Sequence, residues 1–158
     1  ENFVVLGVSR SNIGSEEFRS KVVLESEFLQ KKIAKEEKDF VQKFADKLYY
    51  EDLGTDYDAS YEKLAKRINQ LDEEHGTDGN LIFYLSTPIG IERVEFNANR
   101  VFDPRTIIDI AEKNQLALES LIVITKGTFS EIPTDSENLK RLANEKYNLG
   151  LFTFKRLR

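Results

Sequence analysis

Short apolar segments alternate with longer amphipathic segments along this chain, and this alternation limits the possible folds more than any other feature. Each apolar segment has the composition of a strand buried on both faces. Such segments occupy residues 3–8, 80–85, 121–124 and 149–154. Strands that alternate with helices usually pair in parallel through right-handed crossovers. The sequence therefore predicts an α/β fold, a layered sandwich with a mainly parallel sheet.

The amphipathic segments predict five helices from the three- and four-residue spacing of their apolar side chains. Most of them start at a residue that can cap free backbone N–H groups, and Gly76 has the position of a left-handed C-terminal cap. The predicted helices start at Ser15-Glu16-Glu17, span 35–48, span 58–74, run from Asp103-Pro104 to Leu116, and follow Thr134-Asp135-Ser136. Shorter strands are predicted at Leu48-Tyr49-Tyr50 and over Val94 to Phe96.

The composition is that of a globular domain, since 40 % of the 158 residues are hydrophobic and 32 % are charged. No apolar run reaches the roughly 18 residues that a membrane span needs, and no charged-then-apolar leader is present. We therefore expect a soluble, cytoplasmic protein, and the composition leaves a homo-oligomer open. The chain begins at Glu1 and contains no methionine, so we expect that it has been trimmed or excised.

The composition also excludes several kinds of chemistry. Because the chain has no cysteine and one histidine, we expect no disulfide scaffold, no thiolate or multi-histidine metal site and no cysteine nucleophile. That histidine, His75, lies at the end of a predicted helix, where a helix-capping role is favoured over a catalytic one. The net charge of −5 argues against a general polyanion binder such as a nucleic-acid protein, but it allows a local phosphate pocket.

Three predicted strands end in residues that suit a ligand, and ligands of open α/β sheets bind at the carboxyl ends of strands. Ser9-Arg10-Ser11 places an arginine between two hydroxyls, which can bind a phosphate; the alternative is a solvated loop arginine. Ser86-Thr87-Pro88 offers small side chains beside which a ribose or flat ring could lie, or an ordinary turn. Thr125-Lys126-Gly127-Thr128 looks like a phosphate loop but lacks the Walker spacing.

Four stretches of residues 1–88 resemble the coenzyme domain of the glucose-6-phosphate dehydrogenases. They are ENFVVLGVSRS followed by EEFR, then FADKLYYEDLGTDYDASYEKLAKRI, then LDEEHGTDGNLIFYLSTP, in the family's order and spacing. The resemblance implies a partial, Rossmann-like NADP-binding segment of an oxidoreductase of the pentose phosphate pathway. It implies that Ser9, Arg10 and Ser11 bind the 2′-phosphate of NADP. It also implies contacts to the ribose and nicotinamide side from Leu85, Ser86, Thr87 and Pro88.

The chain departs from the family pattern at several points. It begins after the family's first strand and glycine-rich phosphate loop, and no G-x-G-x-x-G stretch occurs elsewhere. Ile89 stands where the family has a second proline, and no Arg-x-x-His-Tyr-x-Gly-Lys segment follows. We therefore expect weak or residual NADP binding, no catalytic residue in this chain, and no turnover.

Residues 89–158 form the second predicted segment, with a β-α-β-α-β order that either completes the sheet or makes a second small unit. This segment is faintly similar to restriction-endonuclease-like domains, in which a strand Glu-x-Lys holds a metal ion. Here Glu95-Phe96-Asn97 lacks the lysine, and we expect no metal. The alternatives to an NADP-binding segment are thus a nuclease-like or nucleic-acid-binding module, and an engineered or recombined α/β scaffold without activity.

Overall fold

A computed structural model of the chain describes residues 3–27, 29, 38–95 and 100–157. These residues form two compact units, Glu1–Gly79 and Asn80–Arg158. The boundary predicted after Pro88 falls within a strand of the second unit. None of the helices in the described part of the chain is both long and apolar enough to cross a membrane.

The first unit contains a two-stranded parallel sheet and several helices among its described residues. Its elements are β1 (Val5–Ser9), α1 (Ser15–Arg19), a π-helical turn (Ser20–Leu24), α2 (Lys38–Ala45), β2 (Leu48–Asp52) and α3 (Tyr57–His75). Strand β1 pairs with β2 in parallel, with Val5 opposite Leu48 and Ser9 opposite Asp52. Parallel pairing is therefore confirmed for this sheet.

A small apolar core holds α1, α2 and β2 together. Val23, Ala45 and Leu48 are fully or almost fully buried, with Phe18 and Val41 among the side chains packed around them. The second predicted helix ends earlier than expected, at Ala45, because Leu48 pairs with β1 and packs into this core as a strand residue. The start of that prediction, residues 35–37, lies outside the described residues.

Helix α3 is capped at both ends, and the sequence predicted the C-terminal cap. The Asp56 carboxylate caps its first turn by accepting a hydrogen bond from Ala59 N–H at 3.3 Å. At the other end Gly76 adopts a left-handed conformation with φ of 59° and donates to the Asp72 carbonyl at 2.8 Å. Glycine is favoured there because it has no Cβ to clash in this conformation.

Replacing Asp72 by asparagine is expected to lower the melting temperature at pH 7 and to matter progressively less in acid. The Asp72 carboxylate accepts hydrogen bonds from the Thr77 hydroxyl and from Gly79 N–H at 2.9 Å, and these bonds lower its pKa below the ordinary value of 3.8. A lowered pKa stabilises the fold above pH 3.8, and this contribution is lost as the pH falls through the folded-state pKa. Thermal unfolding from pH 7 to pH 2 measures the difference. The neighbouring exposed Glu73→Gln is the control, and equal behaviour of both variants would contradict the prediction.

The second unit is built on a four-stranded antiparallel sheet. Its elements are β3 (Ile82–Ile89), β4 (Arg93–Val94), β5 (Arg100–Val101), α4 (Pro104–Lys113), β6 (Leu116–Thr125), β7 (Thr128–Glu131), α5 (Ser136–Ala143) and β8 (Asn148–Arg156). The strand order is β3-β8-β6-β7, and β4 and β5 form a separate short pair. All pairings in the four-stranded sheet are antiparallel.

The prediction of a mainly parallel sheet is therefore wrong for the second unit. Strand β6 continues into β7 through Lys126 and Gly127 alone, with φ of 49° and 81°, which is the pattern of a type I′ hairpin turn. A two-residue turn can join only antiparallel neighbours. Strand β8 lies between β3 and β6. The connection from β3 to β6 runs through β4, β5 and α4, and its two end strands therefore do not pair with each other.

The core of the second unit lies against this sheet. Its fully buried side chains include Ile89, Leu121, Leu142 and Phe152. The predicted caps of both helices are confirmed, since Asp103 accepts from Arg105 N–H, and Asp135 accepts from the N–H groups of Glu137 and Asn138. Leu116, predicted to end the helix α4, instead starts β6. Of the strand predicted over Val94 to Phe96, Val94 lies in β4, and Phe96 lies outside the described residues.

Candidate functional site

The predicted phosphate-binding loop directly follows the carboxyl end of β1. Ser9 is the last residue of the strand, Arg10 and Ser11 come next, and all three are exposed. The neighbouring strand β2 ends at the same edge, and Leu53 N–H beyond it donates to the Ser9 carbonyl at 2.9 Å. The structure therefore places these three residues together, at the edge of a parallel sheet where ligands of α/β folds bind.

A closed ring of hydrogen bonds joins this loop to Tyr50 on β2. Ser11 N–H donates to Ser9 Oγ at 3.1 Å, Ser9 Oγ lies 2.7 Å from Tyr50 Oη, and Tyr50 Oη lies 2.8 Å from the Ser11 carbonyl. The carbonyl can only accept, so the single hydroxyl hydrogen of Tyr50 goes to Ser11. Ser9 must then donate its own hydroxyl hydrogen to Tyr50. Both backbone groups of Ser11 are thereby held.

Tyr50 was not identified from the sequence as a site residue. Its side chain is 8 % exposed, and its ring lies against that of Phe18 with centroids 5.2 Å apart. Its N–H donates to Ser15 Oγ at 3.0 Å. The Ser15 hydroxyl therefore binds β2 and does not cap α1, whose N-terminal cap residue is Gly14. The available sequence signal was a tyrosine at a buried strand position, whose hydroxyl needs a partner.

The Arg10 guanidinium has no hydrogen-bond or ion-pair partner within the described part of the chain, and it is exposed. The acidic residues at the end of β2 are already engaged: the Asp52 carboxylate accepts from Gly54 N–H at 2.7 Å, and Glu51 lies 2.6 Å from Lys63 Nζ. A guanidinium presents a planar fork of donors that fits two oxygens of a phosphate. The loop can therefore receive a phosphate group at Arg10 without first breaking an ion pair to a described residue.

The other predicted contact segment lies in the second unit, within β3. Leu85 and Ser86 are exposed, Thr87 is buried and Pro88 is half-buried. The predicted turn is wrong here, because β3 continues to Ile89 and pairs with β8 along its whole length. Pro88 is accommodated since it lies on the strand edge away from β8, where its carbonyl accepts from Phe102 N–H at 3.0 Å and no N–H is required.

Two other candidate groups have structural roles. Thr125-Lys126-Gly127-Thr128 forms the β6–β7 hairpin described above, and it therefore lacks the strand-to-helix arrangement of a Walker phosphate loop. His75 is the last residue of α3, and its Nε2 lies 2.9 Å from the Tyr49 hydroxyl.

The structure describes only part of Glu95-Phe96-Asn97, the segment compared with the metal-binding motif of nuclease-like domains. Among the described residues, no group of three or more His, Asp or Glu side chains is placed to hold a metal ion. Glu95 is described, whereas Phe96 and Asn97 lie outside the described residues.

Comparison with known protein families gives a match that covers more than half of the chain. Residues 1–98 match the family described as glucose-6-phosphate dehydrogenase, NAD binding domain. The chain belongs to this family. The resemblance predicted from the four stretches within residues 1–88 is thus confirmed, and the match to the dehydrogenase coenzyme domain continues past Pro88 to residue 98.

A curated relative supports the same family. Glucose-6-phosphate 1-dehydrogenase from Aggregatibacter actinomycetemcomitans is 36 % identical over 88 residues, which cover 56 % of this chain and 17 % of that relative. The chain therefore spans less than a fifth of the length of this dehydrogenase. No solved structure matches the chain significantly.

Proposed function

We propose that this chain carries an NADP-binding segment in which Arg10 binds the 2′-phosphate on the adenosine ribose. The observation that carries the proposal is the exposed, unpaired Arg10 at the carboxyl end of β1, judged among the described residues. Membership of the dehydrogenase coenzyme-domain family supports a dinucleotide as the ligand. The parallel pair β1–β2 is then part of a Rossmann-like arrangement.

The side chains after β1 favour NADP over NAD. Dinucleotide folds that bind NAD place an acidic residue near the ribose 2′-hydroxyl, and those that bind NADP place an arginine near the 2′-phosphate. Here the loop reads Ser9-Arg10-Ser11 and contains no acidic residue. Of the two serines, Ser11 has a hydroxyl that is not part of the hydrogen-bond ring and can donate to the phosphate, whereas Ser9 can only accept.

We further propose that Leu85, Ser86, Thr87 and Pro88 contact the ribose and nicotinamide side of the coenzyme, as the family resemblance implies. Within β3 the exposed Ser86 hydroxyl is the group best suited to a polar contact. Thr87 is 9 % exposed, so its contribution is to the shape of the strand. Affinity is expected to be low, because the sequence has no glycine-rich loop to bind the pyrophosphate with backbone N–H groups.

We expect no dehydrogenase turnover by this chain alone. Its sequence contains no segment of the family's sugar-phosphate-binding type, and its one histidine contacts Tyr49 at the end of α3. The proposed activity is therefore coenzyme binding without hydride transfer.

The test is a calorimetric titration of the whole chain with 2′,5′-ADP and with 5′-AMP, followed by NADP and NAD. The two smaller nucleotides differ in the 2′-phosphate but neither carries the nicotinamide half. We expect 2′,5′-ADP to bind about ten- to hundredfold more tightly than 5′-AMP, since a charge-assisted arginine–phosphate contact contributes roughly 1.5–3 kcal/mol. Equal affinities within each pair of nucleotides, or no binding of 2′,5′-ADP and NADP, would reject the proposal.

A further inference from the structure

We infer that Tyr50 is a positioning residue that sets the preference for NADP over NAD, because its hydroxyl closes the hydrogen-bond ring that holds Arg10 in place. This inference rests on the proposed function of Arg10. Tyr50 lies on β2, 40 residues along the chain from Arg10, and acts on the loop through Ser9 and Ser11.

The two peptide groups that flank Arg10 are both held by hydrogen bonds. The Ser9 carbonyl, on one side, accepts from Leu53 N–H at 2.9 Å. Ser11 N–H, on the other side, donates to Ser9 Oγ at 3.1 Å. Since the backbone angles of Arg10 are the only free rotations between these two peptide groups, holding both restricts the direction in which the arginine leaves the strand.

Tyr50 is suited to anchor this arrangement because it is itself fixed in the first unit. Its backbone pairs with Gly7 in the parallel sheet, its N–H is bound by Ser15 Oγ, and its ring packs on Phe18. Only its hydroxyl reaches the loop, where it accepts from Ser9 and donates to the Ser11 carbonyl. Loss of that oxygen leaves the aromatic packing intact and removes two of the three bonds in the ring.

Tyr50→Phe keeps the bond from Leu53 N–H to the Ser9 carbonyl, but Ser9 Oγ loses the partner that keeps it directed toward Ser11 N–H. A loop that is held less firmly lowers the affinity for a ligand that needs Arg10 in one position. The apparent affinity falls with the fraction of molecules whose arginine is correctly placed, whereas a ligand that does not use the arginine is unaffected. The expected effect of Tyr50→Phe is therefore a threefold to tenfold weaker binding of NADP, of the order that a net hydrogen bond contributes. NAD binding should not change.

Ser9 has the same role in this scheme. Its hydroxyl hydrogen is donated to Tyr50, so Ser9 contributes to the ring and does not donate to the phosphate. Ser9→Ala should weaken NADP binding to the same extent as Tyr50→Phe, and the double variant should be no weaker than either single variant, because all three break one ring. Ser9→Thr retains the hydroxyl and should retain the affinity.

The experiment measures NADP and NAD affinities for these variants beside Arg10→Ala, with Tyr49→Phe as the matched control. Tyr49 is the adjacent residue on β2, and its hydroxyl bonds to His75 instead of the loop. Amide exchange of Ser11 provides a readout without nucleotide: its N–H should exchange faster in Tyr50→Phe, while the Leu53 amide bonded to the Ser9 carbonyl should stay protected.

The outcomes separate the inference from the proposed function. If Arg10→Ala abolishes the preference for NADP but Tyr50→Phe and Ser9→Ala keep it, the role of Tyr50 is wrong and the role of Arg10 stands. If additive losses occur in the double variant, the two residues do not act through one ring, which also overturns the inference. If Arg10→Ala leaves the preference unchanged, or the chain binds no NADP, the proposed function fails and the inference fails with it.

Discussion

Replacing Arg10 by alanine is expected to weaken NADP binding about ten- to hundredfold while leaving NAD binding unchanged. The variant removes the exposed guanidinium after β1 and leaves the backbone bonds of Ser9 and Ser11 in place. A charge-assisted contact to a phosphate contributes roughly 1.5–3 kcal/mol, which corresponds to this range of affinity. Because NAD has no 2′-phosphate, it has no such contact to lose. Calorimetric titration with both coenzymes measures the ratio.

Two further variants show whether geometry or charge accounts for the loss. Arg10→Lys keeps the positive charge but loses the planar fork, so its NADP affinity should be intermediate. Lys21→Ala removes an equal charge from an exposed side chain that pairs with Glu17 at 2.5 Å, and it should leave both affinities unchanged. A parallel loss of NADP and NAD affinity in Arg10→Ala would mean that the arginine does not read the 2′-phosphate.

Replacing Phe152 by alanine is expected to reduce the free energy of unfolding of the second unit by about 3–5 kcal/mol, the usual cost of deleting a buried aromatic ring. Phe152 is 1 % exposed on β8, between Leu85 of β3 and Leu121 of β6 in the pairing register. Its ring lies parallel to that of Phe154 with centroids 5.8 Å apart. The deletion therefore opens a cavity at the centre of the sheet, which the surrounding side chains fill only in part.

Urea unfolding followed by circular dichroism measures this loss. The matched control is Phe129→Ala, which removes the same ring from the edge strand β7, where the side chain is 68 % exposed. Exposed substitutions of this kind usually change stability by within about 0.5 kcal/mol. Similar losses for both variants would contradict the burial of Phe152 in the sheet.

The elements that the sequence predicted well have causes within a few residues. Asp103 and Asp135 cap helices because a carboxylate can reach N–H groups two or three residues ahead. Gly76 ends α3 because its lack of a Cβ permits the left-handed conformation. The same local reasoning placed Arg10 directly after a strand, where the structure has it, but the predicted burial of that strand is wrong, since Val5 and Val8 of β1 are exposed.

The errors concern which strands become neighbours. A buried apolar segment such as residues 121–124 has the same composition in a parallel and in an antiparallel sheet, so its pattern cannot specify the partner. The turn at Lys126-Gly127 carries the missing information, because it joins β6 directly to β7. Similarly, Pro88 looks like a turn residue but lies within β3, on the side away from β8, where its carbonyl accepts from Phe102 N–H. The contacts of Tyr50 with the loop around Arg10 could not be predicted either, because Tyr50 lies 39 residues beyond Ser11 in sequence.

The sequence by itself determined where the helices and most strands lie, to which family the chain belongs, and which loop carries an arginine suited to a phosphate. These properties depend on side-chain periodicity, capping groups and short motifs, whose interactions are local. Only the tertiary structure decided the antiparallel order of the second sheet and the contact of Tyr50 with the Arg10 loop. Both depend on pairing between segments far apart in the chain, and that pairing follows from the packing of the folded core.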